Sequence, residues 1–137
     1  MILRDMTGTI IFASYRKLFH CNEALKAELQ AMMEGLKLAI EHSQATIVIQ
    51  SDCVVALKML GDGSLDRSAY GHLVSEIKRF LNDRVVNPVK ILREQNRVAH
   101  CLANFGRCGD NIACWLGHPP PCISKLVAED CNSITLE

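Results

Sequence analysis

Thr46-Ile47-Val48-Ile49-Gln50-Ser51-Asp52 is the stretch from which the rest of the chain is read. Three consecutive β-branched apolar residues between polar ones predict a strand covered on both faces. An acidic residue stands where that strand stops. In open α/β sheets, chemistry gathers at the carboxyl ends of the strands, which makes Asp52 a candidate site carboxylate. The bland alternative is that Ser51 or Asp52 caps the short helix predicted over Cys53–Leu60, and a carboxylate can cap with one oxygen and bind with the other.

The segment before this strand, Asn22 to His42, reads as a helix, with Asn22 as its N-cap and Glu23 in its first turn. At about 100° per residue, Lys26, Gln30, Glu34, Lys37 and Glu41 share one side. Leu25, Met32, Leu36 and Ala39 share the other, and Glu28 falls in the middle of that apolar stripe. A charged carboxylate facing a core is costly unless it is paired, hydrogen-bonded or bound to a cation. Glu28 therefore reads either as the partner of a buried Arg or a loop cap, or as a second site carboxylate beside Asp52.

Outward from these two residues, the chain punctuates itself clearly. Met1–Arg4 and Thr9–Tyr15 flank the turn residues Asp5-Met6-Thr7-Gly8 and predict a hairpin with a short first arm. Either the sequence begins inside a domain or a short edge strand suffices. Gly61-Asp62-Gly63-Ser64 ends the Cys53–Leu60 helix. Ser68 opens an amphipathic helix with Tyr70, Leu73, Val74, Ile77, Phe80 and Leu81 on one face. Asn87-Pro88 breaks the chain before a short strand at Val89–Leu92. A last long helix follows at Arg97–Gly106, turning Val98, Ala99, Leu102 and Ala103 inward and carrying Asn96, His100 and Asn104 on a polar stripe. From residue 108 the reading is an irregular tail with a short helix near Ile123–Ala128. The order β-β-α-β-α-α-β-α predicts an α/β fold, a mixed sheet with helices packed on its faces.

Composition narrows the function classes. The chain has 137 residues, one domain's length, with 49% hydrophobic and 22% charged residues. Aromatic content of 5% gives little support to a base-stacking platform. The net charge is zero, but it is unevenly spread. Residues 78–107 hold seven Lys+Arg against two Asp+Glu, whereas 1–77 hold seven against nine and 108–137 one against four. That basic block fits phosphates or an ordinary solvated surface. Seven scattered cysteines without a C-x-x-C pair, and no leader-like or membrane-spanning run, predict a reduced intracellular protein, nuclear or cytoplasmic and not secreted. Cys108, Cys114, His118 and Cys122 match no zinc-ligand spacing. There is no internal repeat, Gly-rich phosphate loop or nucleophile elbow.

Taken together, Leu3-Arg4-Asp5-x-x-Gly8, Ala27-Glu28 with Gly35-Leu36-x-x-Ala39, and Ile49-Gln50-Ser51-Asp52 resemble a ribonuclease H-type domain. Arg93-Glu94-x-Asn96-x-x-Ala99-His100-x-Leu102-Ala103, the Trp115…Pro120-Pro121…Ile123 tail and Asp130 extend the resemblance over nearly the whole chain. The likeness is to the plant retroelement-related, reverse-transcriptase-like branch, with the first strand absent. It implies a ribonuclease H-like domain over 1–107 and a tail with a short helix over 108–137.

The implied activity is hydrolysis of the RNA strand of an RNA–DNA hybrid, assisted by two Mg²⁺ (or Mn²⁺) ions held by clustered carboxylates. By resemblance, Glu28 is the helix carboxylate and Asp52 the strand carboxylate, both metal ligands. His100 stands where the family has a fourth acidic residue, as a proton shuttle or weaker ligand. Arg93, Asn96 and Arg97 are the implied nucleic-acid contacts, the partner being an RNA–DNA hybrid or a double-stranded RNA-like duplex. The family's first carboxylate lies on the absent strand. Glu28 and Asp52 alone then face about four units of metal charge, so the inherited activity is expected to be weak or lost. The competing readings are a non-catalytic module in which Lys78, Arg79, Arg84, Lys90, Arg93 and Arg97 touch phosphates, or a protein-interaction module using an exposed sheet.

Overall fold

The computed structural model describes residues 1–18, 23–63, 67–109 and 112–134, the last four by their backbone alone. In chain order the elements are β1 (Ile2–Arg4), β2 (Ile10–Tyr15), α1 (Ala24–His42), β3 (Ile47–Ser51), α2 (Val54–Gly61), α3 (Gly71–Asp83), β4 (Val86–Lys90), a 3₁₀ turn (Arg93–Asn96), α4 (Arg97–Cys108), β5 (Ala113–Leu116) and α5 (Ser124–Ile134). The fold is mixed α/β, with antiparallel and parallel strands. It divides into two compact units, Met1–Phe19 with Arg93–Glu137, and His20–Leu92.

The first unit is built on a three-stranded antiparallel sheet in the order β1-β2-β5. Its hairpin turn is closed by Asp5, whose Oδ1 accepts from the Thr7 amide (2.9 Å), the Thr7 hydroxyl (2.6 Å) and the Thr9 amide (3.0 Å). Gly8 supplies the positive φ of 86° that this turn requires. A register shift between Leu3 and Arg4 accommodates the short first arm. Ile10, Ala13, Val98, Leu102, Ile123 and Val127 form the core of this unit, so α4 and α5 pack on the β2 face. Helix α4 comes so close that a Cβ on Gly106 would lie 3.0 Å from the Arg16 carbonyl oxygen. Arg4 and Asp130 form an ion pair at 3.1 Å, tying β1 to α5.

The second unit pairs β3 with β4 in parallel, Ile47 opposite Val86 through Ser51 opposite Lys90. Its helices bury Leu29, Met32, Met33, Leu36 and Ala39 from α1, Ala56 and Leu60 from α2, and Val74 and Ile77 from α3. The guanidinium of Arg84 donates to the carbonyls of Ile40, Ser43 and Ala45, satisfying acceptors that the end of α1 leaves open.

Several expectations are corrected. β3 is not covered on both faces: Ile47 and Ser51 are buried, but Val48 is 53% exposed and Gln50 is exposed. Helices cover one side of this two-stranded sheet. β4 runs through Pro88 instead of starting after it. A proline is tolerated there because β4 has one ladder partner among the described residues, and alternate residues of such a strand make no bond to it. The irregular tail contains β5, antiparallel to β2, and α5 extends beyond Ala128 to Ile134. Arg97 begins the last long helix as expected, but the helix continues to Cys108. Asn22 as an N-cap lies outside the described residues.

Candidate functional site

The parallel pairing of β3 with β4 ends at Ser51, whose carbonyl accepts the Ile91 amide (3.0 Å). Ser51 is buried, and its hydroxyl accepts the Cys53 amide at 3.1 Å, turning the chain sharply from strand to helix. Helix α2 takes Cys53 as its N-cap, and the Cys53 side chain makes no cap bond. Asp52 is left half-buried at the carboxyl end of β3, where the strand-end argument places a working carboxylate.

The first turns of α1 bring Ala24, Leu25 and Glu28 to the same place. With Asp52, Cys53 and Val55 they line an open pocket of about 260 Å³. The two carboxylates that the sequence singled out are therefore neighbours in one cavity. Glu28 is not in the middle of the buried stripe, which runs through Leu29, Met32, Met33, Leu36 and Ala39. It sits at the edge of the stripe, half-buried, and avoids the full cost of an ionised group in a core.

Two carboxylates lining one small pocket repel each other, and a cation between them relieves that repulsion. Their hard oxygens suit Mg²⁺ or Mn²⁺, which keep several waters and accept substrate phosphate oxygens as further ligands. The donor set thus fits one such ion completed by water and substrate. Among the described residues no group of three or more His, Cys, Asp and Glu is close enough to hold a metal by protein side chains alone. Cys53, Ala24, Leu25 and Val55 were not foreseen as lining residues; their proximity in sequence to Asp52 and Glu28 was the available signal.

The remaining sequence candidates belong to the other unit. Asn96 is half-buried as the residue preceding α4, and His100 is exposed one turn further on. Arg93 is exposed on the 3₁₀ turn. Arg97 is 3.5 Å from the Glu129 carboxylate in an exposed pair, which is a weak tether at best. Elsewhere, the basic block is largely engaged within the protein. Lys78 donates to the Asp62 carbonyl, Arg84 to three carbonyls, and Arg79 stands 3.9 Å from Glu76 and over the Phe80 ring. Cys108, Cys114 and Cys122 are exposed free thiols on separate segments.

Residues 1–106, more than three quarters of the chain, match the family described as reverse transcriptase-like. The chain belongs to this family. Its reverse transcriptase-like character is ribonuclease H-like, which agrees with the mixed α/β architecture and with a nucleic-acid-related role. The match contains Glu28, Asp52, Arg93, Asn96, Arg97 and His100, and stops short of β5 and α5. No curated protein and no solved structure matches the chain. No helix among the described residues is long and apolar enough to cross a membrane.

Proposed function

We propose that this chain is a nucleic-acid-binding ribonuclease H-like domain of the plant retroelement-related branch. Its inherited chemistry is metal-dependent hydrolysis of RNA in RNA–DNA hybrids, weak or lost in this chain by itself. The observation that carries the reading is the single pocket lined by both Glu28 and Asp52. Glu28 and Asp52 would hold Mg²⁺ or Mn²⁺, which supplies charge neutralisation at a phosphate and an acidified water. The half-buried position of the two carboxylates would leave them open to a duplex backbone, Glu28 on the first turns of α1 and Asp52 at the carboxyl end of β3.

His100 takes the proton-shuttle or weak-ligand role by resemblance, and Arg93, Asn96 and Arg97 the role of backbone contacts. A reduced intracellular setting fits the free thiols of Cys53, Cys101, Cys108, Cys114 and Cys122.

The test is cleavage of a labelled RNA–DNA hybrid with Mg²⁺ or Mn²⁺, with Glu28→Gln and Asp52→Asn beside the parent chain, and hybrid binding measured in parallel. The account expects salt-dependent binding of the hybrid, and slow cleavage, if any, that both substitutions abolish. Cleavage indifferent to Asp52→Asn, or hybrid binding that ignores salt, overturns it.

A further inference from the structure

Glu28 and Asp52 line the same pocket but are held in different ways. Glu28 stands inside α1, where the helix's own hydrogen bonds fix the backbone. Asp52 stands between elements, after β3 ends at Ser51 and before α2 begins at Val54. Neither a strand ladder nor a helix sets its backbone. The aim of its carboxylate therefore depends on what ties down its two neighbours.

Two such ties run through Ser51. Its carbonyl accepts the Ile91 amide at 3.0 Å, which fastens the peptide before Asp52 to the chain just beyond β4. Its hydroxyl accepts the Cys53 amide at 3.1 Å, reaching across Asp52 to the residue after it. A side-chain bond from one residue to the amide two positions on closes a small ring, and here Asp52 is the middle of that ring. Its φ and ψ are restricted accordingly.

Ser51 is also a poor choice for its surroundings unless that bond matters. It is 4% exposed and shares the helix-covered side of β3 with Ile47, a position suited to an apolar side chain. Burying a hydroxyl is costly unless it is hydrogen-bonded, and alanine or valine would carry no such cost.

We infer that Ser51 is a positioning residue for the cation site, its hydroxyl fixing the Asp52 backbone so that the carboxylate is aimed into the pocket shared with Glu28. The inference rests on the metal-binding role proposed above for those two carboxylates. Ser51 does not touch the ion; it acts through the Cys53 amide. A site ligand has to be held within about 0.5 Å of its productive place, and the groups that orient a ligand from behind are typically worth about 10–100-fold in affinity. Among the described residues no third His, Cys, Asp or Glu is placed to hold the ion while Asp52 swings, so the loss of aim is felt in full.

The test uses the full chain as parent, Ser51→Ala, Ser51→Thr and Val74→Ala. Free Mn²⁺ is followed by electron paramagnetic resonance to give a dissociation constant, and amide hydrogen exchange at Cys53 is measured by NMR without metal. In Ser51→Ala, exchange at Cys53 is expected to be about tenfold faster and Mn²⁺ binding about tenfold weaker. Ser51→Thr keeps the hydroxyl and stays near the parent in both. Val74→Ala opens a cavity under α3, away from the pocket lining, and is expected to lose thermal stability while keeping its Mn²⁺ affinity. Equal Mn²⁺ affinity in Ser51→Ala and the parent overturns the inference and leaves the cation site standing. A weakening that Val74→Ala shares, or a Cys53 amide that exchanges freely in the parent, overturns it too. A parent chain that binds no Mn²⁺ overturns the cation site itself, and this inference with it. Should Ser51→Ala fail to fold, a folded Ser51→Thr that binds Mn²⁺ about tenfold more weakly than the parent overturns the inference, and one that matches the parent supports it.

Discussion

Gly106→Ala and Gly61→Ala are the same chemical change with opposite expected signs. Both glycines are helical, at the ends of α4 and α2, where alanine gains up to about 1 kcal/mol in helix propensity. At Gly61 an added Cβ meets nothing within 4 Å, and stabilisation by about 0.5 kcal/mol is expected. At Gly106 it meets the Arg16 carbonyl oxygen at 3.0 Å, the Arg16 carbonyl carbon at 3.3 Å and the Tyr15 Cβ at 3.4 Å. These atoms belong to, or are anchored on, the central strand of the sheet and have no easy direction of retreat. Overpacking of this kind costs about 1–3 kcal/mol, which exceeds the propensity gain and leaves a net loss of about 1 kcal/mol. For a chain of this size that lowers the Tm by about 3–5 °C. Thermal unfolding followed by circular dichroism and by the fluorescence of Trp115, whose ring neighbour Tyr15 moves with the clash, measures both effects. A Gly106→Ala protein as stable as the parent, with unchanged Trp115 emission, refutes the close approach of α4 to β2.

Other outcomes follow from side chains with defined partners. Arg84→Ala removes the donor for three carbonyls at the end of α1 and is expected to cost about 1–2 kcal/mol in a denaturant titration; Arg84→Lys recovers only part, because an ammonium lacks the planar fork. The Thr7 hydroxyl and then, against slight desolvation, the amides of Thr7, Thr9 and Gly8 hold the Asp5 carboxyl below its ordinary 3.8. Because the folded value is the lower one, the turn's contribution is present above pH 3.8 and is lost as pH falls through the folded value; an NMR titration of Asp5 with its midpoint at or above 3.8 contradicts this. Burial, and then the neighbouring Cys101 thiol, push the Cys122 thiol above its ordinary 9.0. Although all three residues are exposed, mass spectrometry after brief alkylation at mildly alkaline pH should find Cys122, whose thiol is partly desolvated, modified more slowly than Cys108 and Cys114.

The elements carrying the candidate site were readable because strong local signals agree there. Ile47-Val48-Ile49 has no conformation as favourable as a strand, and the 3.6-residue pattern of α1 extends over five turns. What the sequence misstated was tertiary. The burial of β3 on one side only depends on which elements cover it, and three β-branched residues read the same in either case. β5 was illegible because Ala113-Cys114-Trp115-Leu116 is short, and its strand conformation is imposed by pairing with β2. Pro88 looked like a break because its lost donor matters only on a side where a ladder bond is needed. Glu28 and Asp52 were singled out by their chemistry, whereas the placement of Glu28 at the stripe's edge turned on Leu29 and Met33, which shift the buried face of α1. The engagement of Arg84 and Lys78 with distant carbonyls could not be read from charge counts, since a cation's partners are set by the folded chain.

The most direct test of a shared cation position is paramagnetic broadening of backbone NMR signals by substoichiometric Mn²⁺. The account predicts that amides of residues 24–28 and 52–55 broaden first and together, and that either Glu28→Gln or Asp52→Asn removes the effect at both segments. Broadening confined to one segment, centred elsewhere, or unaltered by these substitutions would contradict it.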